Sequence, residues 1–322
     1  MFNVGMGFYS GDNMNKDIQQ EGQKIIIAHQ GASGYLPSHT LEAYTLAYGL
    51  GADYIEPDLN MTKDGVLVCT HDTYLESITD VEVKYPDKIA SDGRCYVKDF
   101  NLEEIKKLNV HTYRYKDGSV QYPNRFNPEY KFLKIPTFEE VIMLVQGLNR
   151  STGKNIGIYP ELKHASWYNE SGFNIEKATL NILNKYGYSN GSDKVFIQCF
   201  EQDSLKKLKF EFDTKLSLIQ LIGSEDDKEK MLTIAGLNKI ATYAVGIGPE
   251  KNWINKDPGI VIRAHNIGLK VHPWTFARES IADKYNSLEE ELSTFYYTYN
   301  VDGLFVEQPD TAYWVLNAWR LK

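Results

Sequence analysis

Residues 24–34 read KIIIAHQGASG, an unbroken apolar run that stops at a histidine and opens into a glycine-bearing turn. A strand with one wet face alternates apolar and polar residues, and Ile25 to Ala28 does not. Such a strand is expected in a parallel sheet covered on both faces. The pattern returns down the chain. Further candidate strands lie at 53–59, 156–162, 194–200, 215–221, 242–247, 269–275 and 302–306. Segments of helical period separate them at 40–50, 137–149, 174–187, 203–210, 257–267 and 309–319. Eight strand–helix units in 322 residues fit an α/β fold of the closed (β/α)8 TIM-barrel type better than an open doubly wound sheet.

One more strand-like run, 66–71 (VLVCTH), follows the second barrel strand after Thr62-Lys63-Asp64-Gly65. Asp-Gly is a tight-turn signal, so a hairpin is expected that returns His71 to Glu56 and Asp58. The stretch to the third barrel strand is far too long for a simple βα loop. Its part 73–136 is rich in tyrosine and charge, with turn signals at Asp92-Gly93 and Asp117-Gly118. We read it as an inserted subdomain lying over the C-terminal mouth of the barrel, where βα loops build active sites. Residues 1–23 are read as an N-terminal extension to a barrel domain spanning 24–322.

Bulk properties narrow the partners. A net charge of −8 argues against nucleic acid, which usually needs a basic face. No run of 18 apolar residues exists, so no membrane span is expected. Cys69, Cys95 and Cys199 are widely spaced and odd in number, and read as buried thiols rather than as a disulfide or metal set. No secretory leader is visible, which fits a cytoplasmic protein or one whose leader has been removed.

The chemistry gathers at strand ends. Glu56 and Asp58, one residue apart on a strand, share a face. Two acids pointing one way are either an exposed pair or a clamp for a divalent ion, and oxygen ligands suit Ca²⁺ or Mg²⁺ over Zn²⁺. Glu161 ends another strand with Lys163 two residues on, either a surface ion pair or a third ligand beside a phosphate-binding cation. His29 and His71 each close a strand-like run, and imidazoles titrate nearest neutral pH, which suits a general acid and base. His39, His111, His164, His265 and His272 are read as structural or surface residues. Serine-elbow, phosphate-loop, dinucleotide and zinc-helix motifs are all missing.

These residues sit in stretches that closely resemble the glycerophosphodiester phosphodiesterase family, in particular its bacterial branch with a long insertion. The matching segments are IIIAHQGASGYLPSHTLEAY, GADYIEPDLNMTKDGVLV, THDTYLESITDV, QGLNRSTGKNIGIYPELK, KVFIQCF, VHPWTF and VDGLFVEQPD, running from about residue 24 to 314. The resemblance implies a barrel that hydrolyses glycerophosphodiesters to sn-glycerol 3-phosphate and an alcohol. Glu56, Asp58 and Glu161 would hold one divalent ion, Ca²⁺ ahead of Mg²⁺. His29 and His71 would be the acid/base pair, and Lys163, Gln30, Gln198 and Trp274 would bind substrate. The attacking group implied is the glycerol 2-hydroxyl. Relatives with the long insertion are commonly periplasmic or secreted.

Two positions depart from the family pattern. Its His-Arg-Gly motif is here His29-Gln30-Gly31, so a charged, bidentate phosphate contact becomes a neutral one. Val306-Glu307 stands where the family often has Thr-Asp. The first departure motivates an alternative, a weakened or non-catalytic barrel that binds glycerophosphodiesters without turning them over.

Overall fold

The computed structural model describes residues 24–126 and 131–320; the extension read at 1–23 lies outside them. Strand β1 (Ile25–His29) pairs in parallel with β2 (Tyr54–Glu56) on one side and with the last strand, β11 (Gly303–Val306), on the other. After β2, Pro57 interrupts the stave, which resumes as β3 (Asp58–Met61). Strand β4 (Leu67–Cys69) turns back antiparallel on β3, as the Asp-Gly signal implied. A second stave is divided at Tyr159-Pro160 into β5 (Gly157–Ile158) and β6 (Glu161–Leu162). Proline has no N–H to give a ladder, so each expected strand, 53–59 and 156–162, becomes two short ones.

From β6 the ladder runs through β7 (Phe196–Cys199), β8 (Ser217–Ile222), β9 (Gly246–Pro249) and β10 (Lys270–Val271). Backbone bonds then close the circle. Asp302 N–H donates to Val271 C=O at 3.0 Å, and Phe305 N–H to Pro273 C=O at 3.1 Å. Counting each proline-divided pair once and leaving out β4, the staves among the described residues number eight, and they form the expected (β/α)8 barrel.

Helices at Leu41–Gly49, Phe138–Thr152, Ile175–Lys185, Gly259–Asn266 and Pro309–Arg320 fall where the helical period placed them. The segment expected as helix 203–210 is a short helix, Gln202–Lys206, continued as a π turn. Among the described residues seven short helices were not anticipated: Val81–Lys84, Leu102–Lys107, Ala165–Glu170, Glu225–Met231, Ile234–Ile240, Lys251–Lys256 and Leu288–Ser293. Their polar, one- to two-turn sequences carry too little period to announce themselves. The strand expected at 242–247 starts only at Gly246, because Tyr243 and Ala244 are buried in the turn that ends the preceding helix.

Apolar residues pack in two shells and a satellite. The main cluster lies between staves and helices. Inside the barrel, Ile27, Tyr54, Tyr159, Phe196, Ile219 and Phe305 form a plug. Tyr159 meets Phe196 and Phe305 at ring separations of 5.0 and 5.1 Å, contacts worth about 0.5–1.5 kcal/mol each beyond area burial. Val81, Val97, Phe100, Ile105 and Leu108 lead a separate cluster within residues 73–136, which also takes in Val68 of β4. All three cysteines are free and buried. Among the described residues no helix is long and apolar enough to cross a membrane.

His272 belongs to the plug: it is fully buried, and Tyr159 Oη lies 2.9 Å from its Nδ1. Burial pushes its imidazole down to about 4. The unfolded chain therefore binds a proton that the folded one refuses between about pH 6.5 and 4. Stability from this group is intact above pH 6.5 and falls by roughly 3 kcal/mol as pH drops toward 4. Urea unfolding from pH 7 to 4 should show this slope, and His272→Gln should flatten it; an equal slope in the variant would contradict the assignment.

Candidate active site

Strand period two explains how the plug becomes a site. Two residues beyond five of the six plug residues, toward the C-terminal end of each strand, lies a polar side chain on the same face. Ile27 is followed by His29, Tyr54 by Glu56, Tyr159 by Glu161, Phe196 by Gln198 and Phe305 by Glu307. The apolar layer is the floor and the next layer up is the chemistry. A cavity of about 130 Å³ above it is lined by His29, Glu56, His71, Glu161, Lys163, Gln198 and Trp274.

Glu56, Asp58 and Glu161 are all buried and offer carboxylate oxygens within 4.8 Å of one another. Register explains the meeting: Asp58 pairs with Glu161 across β3 and β6. Glu56 accepts from Gln30 N–H at 2.8 Å and from Gln198 Nε2 at 3.0 Å. Asp58 Oδ2 accepts from His39 Nε2 at 2.9 Å and from Gln30 Nε2 at 3.2 Å. Its Oδ1 is buried without a hydrogen-bond partner among the described residues. Lys163 Nζ sits 2.9 Å from Glu161 Oε1.

Charge is therefore crowded and only partly offset. Burial, reinforced by Asp58 and Glu161, pushes the Glu56 carboxyl well up. Burial also raises Glu161, to about 7, against the pull of Lys163. For Asp58 burial works the same way, but Lys163 and the His39 bond hold it well below the usual carboxylate range. Burial opposes the Lys163 charge, yet Glu161 and Asp58 outweigh it and raise the ammonium. An unpartnered buried oxygen within an all-oxygen donor set fits a hard divalent cation.

The two histidines stand at the rim, each against a carboxylate. His29 Nδ1 lies 3.3 Å from Glu307 Oε1, and His71 Nδ1 lies 2.8 Å from Asp72 Oδ1. Burial and Lys163 work against a charged His71, but the Asp72 bond prevails and its imidazole is raised. A second cavity, of about 280 Å³, shares both histidines with the first and is lined on its far side by Tyr113, Tyr115, Tyr122 and Arg125 of the insertion. The turn after β1 makes the approach. Gln30 is held at φ 58°, in the left-handed region, with its N–H on Glu56. A Cβ on Gly31 would meet the Ala43 carbonyl carbon at 2.8 Å, so only glycine fits there.

Every expected site residue thus converges on one mouth. Trp274 lines the cavity with its indole N–H on Gly248 C=O at 2.7 Å. Gln30 departs from expectation in its contact, since its side chain lies on Asp58. Four residues were not picked out as part of the site, the Asp72 that pairs with His71 among them. His39 is buried on Asp58 and braced by Tyr44 Oη at 2.8 Å; its spacing from the strand end gave no cue. Glu307, noted only as a departure, pairs with His29, a contact the period-two step beyond Phe305 could have revealed. Arg125 comes from the insertion, where no pattern announces it.

A TIM barrel with a buried carboxylate triad, a lysine and two rim histidines at its C-terminal mouth defines a hydrolase equipped for phosphate esters. The profile of the glycerophosphoryl diester phosphodiesterase family matches residues 29–311, and the chain belongs to that family. It is 37% identical to a glycerophosphodiester phosphodiesterase of Haemophilus influenzae over 92% of this chain and 90% of the relative. A Treponema pallidum glycerophosphodiester phosphodiesterase is 30% identical over 89% and 90%. Among solved structures, a Silicibacter pomeroyi protein described as a putative glycerophosphoryl diester phosphodiesterase superposes with TM-score 0.72 at 21% identity, covering 93% of this chain and 95% of that one. An Oleispira antarctica phosphodiesterase, solved with the product sn-glycerol-3-phosphate, gives 0.65 at 20% identity over 92% and 97%.

If the triad holds a divalent ion, adding one stabilises the folded chain by about 2.7 kcal/mol at one hundred times its Kd. Calorimetry with Ca²⁺ or Mg²⁺ should raise Tm, EDTA should reverse it, and Asp58→Asn should abolish the shift. A Tm indifferent to the ion would refute the clamp.

Proposed function

We propose that the chain hydrolyses glycerophosphodiesters to sn-glycerol 3-phosphate and an alcohol, with His29 as general base and His71 as general acid. The observation that carries this reading is the pair of carboxylate-bonded histidines at the rim above the buried cluster of Glu56, Asp58 and Glu161. Those three would hold one divalent ion, which when bound supplies positive charge to the phosphoryl oxygens. Carboxylates from separate strands suit the tolerant coordination of Ca²⁺ better than the strict octahedron of Mg²⁺.

The remaining work falls to the chain's own side chains. Lys163, buried and charged, offsets the negative phosphodiester. Glu307 can only accept, so the hydrogen of His29 lies on Nδ1 and the Nε2 lone pair is left to take a proton from the attacking hydroxyl. Asp72 favours imidazolium at His71, which protonates the departing alcohol. Gln198 Oε1 is buried without a partner among the described residues and can accept from a glycerol hydroxyl, while Trp274 offers its ring to the glycerol carbons. Attack by the glycerol 2-hydroxyl, followed by opening of the cyclic phosphate, would restrict the substrate to glycerol diesters.

Incubation with glycerophosphocholine and Ca²⁺ should release glycerol 3-phosphate, and EDTA should stop it. His29→Ala and His71→Ala should each lose about 10²–10⁴-fold in kcat. Binding without release would support the non-catalytic alternative instead.

Gln30 sets a second expectation. A charge-assisted hydrogen bond is worth about 1.5–3 kcal/mol against about 1 for a neutral one. Gln30→Arg should therefore raise kcat/KM about tenfold. Unchanged or lower activity would show that glutamine costs this site nothing.

A further inference from the structure

The insertion sends one largely enclosed side chain down to the rim of the barrel. Arg125 bridges three separate barrel loops. Its Nε and Nη2 donate to the two Glu279 oxygens at 2.8 and 2.6 Å, and Nη1 donates to Ser33 C=O at 3.1 Å. Nη2 also lies 2.6 Å from Glu307 Oε2. Tyr122, three residues earlier, covers the guanidinium with its ring at 3.9 Å. The other Glu307 oxygen is the one facing His29 Nδ1.

We propose that Glu307 is the positioning residue for His29 and that Arg125 fixes Glu307 from the insertion, so the catalytic pair is complete only when insertion and barrel are docked. The proposal rests on the reading of His29 as general base. Its physical basis is a relay of fixed geometry. Glu307 is a carboxylate with a side chain only 13% exposed, and a lone buried carboxylate would be poorly solvated and free to swing. Arg125, 9% exposed, supplies the compensating charge at one oxygen and leaves the other for imidazole. The same guanidinium holds Ser33 C=O, and Ser33 Oγ in turn donates to His29 C=O at 2.7 Å. Both the ring and the backbone of His29 are thereby tied to one arginine. Arg125 is not itself a phosphate ligand, because two carboxylates already share its charge.

The test combines kinetics on glycerophosphocholine with ¹⁵N NMR of histidine-labelled protein. Arg125→Met and Glu307→Gln should each lower kcat about 10–100-fold and leave KM within about threefold. The double variant should be no worse than Glu307→Gln alone, since the arginine acts through the carboxylate. Arg125→Lys should recover part of the loss. In the wild type the neutral His29 ring should carry its hydrogen on Nδ1, and Arg125→Met should reduce that population. The proposal is overturned by unchanged kcat in folded Glu307→Gln, by losses that multiply in the double variant, or by a loss confined to KM, the mark of a simple fastening. A wild-type hydrogen on Nε2 overturns it even where variants fail to fold. A wild type inactive on the diester would sink the catalytic reading of His29, and the tautomer would still decide whether Glu307 positions the ring.

Discussion

Three carboxylates buried within 4.8 Å of one another are the constraint around which this mouth is arranged. Left alone they repel, and burial in low dielectric deepens the cost. Lys163, His39, Gln30 and Gln198 each relieve part of it through contacts with Glu161, Asp58 or Glu56. One oxygen, Asp58 Oδ1, is left over, where a cation would complete the balance. The aromatic plug beneath gives these groups a rigid, dry floor, and the strand register brings Glu161 from a hundred residues away to the side of Asp58. A site built on strand ends is held by the ladder itself rather than by loop conformation.

Above the triad stand two histidine–carboxylate pairs with different origins. His71 and Asp72 are neighbours in sequence and sit on the hairpin arm. His29 and Glu307 come from opposite ends of the chain, brought together because β1 and β11 are adjacent staves. The insertion closes over both, contributing tyrosines to the outer cavity and Arg125 to the rim. In this arrangement the barrel supplies the floor and the reactive groups, and the insertion bears on their alignment.

Much of this was legible in the sequence, for a definable reason. Continuous apolar runs such as Ile25–Ala28 reveal buried parallel strands, and polar residues at their C-terminal ends reveal the mouth. That logic located Glu56, Asp58, Glu161, Lys163, His29 and His71. It passed over the cuts at Pro57 and Pro160, because a reading of apolar runs weighs hydrophobicity and not the N–H that proline lacks. Short polar helices such as Glu225–Met231 carried no period to read. His39 and Arg125 were hidden for another reason: each acts through a long-range contact, with Asp58 or with Glu307, made from a loop whose local sequence says nothing of its neighbours.

The central claim is that the triad and Lys163 together receive a metal ion and a phosphate. A crystal structure of the protein with Ca²⁺ and sn-glycerol 3-phosphate tests it most directly. The account predicts one ion ligated by Glu56, Asp58 and Glu161, with the phosphate against Lys163 and between His29 and His71. An ion bound elsewhere, or a phosphate that makes no contact with Lys163, would contradict it.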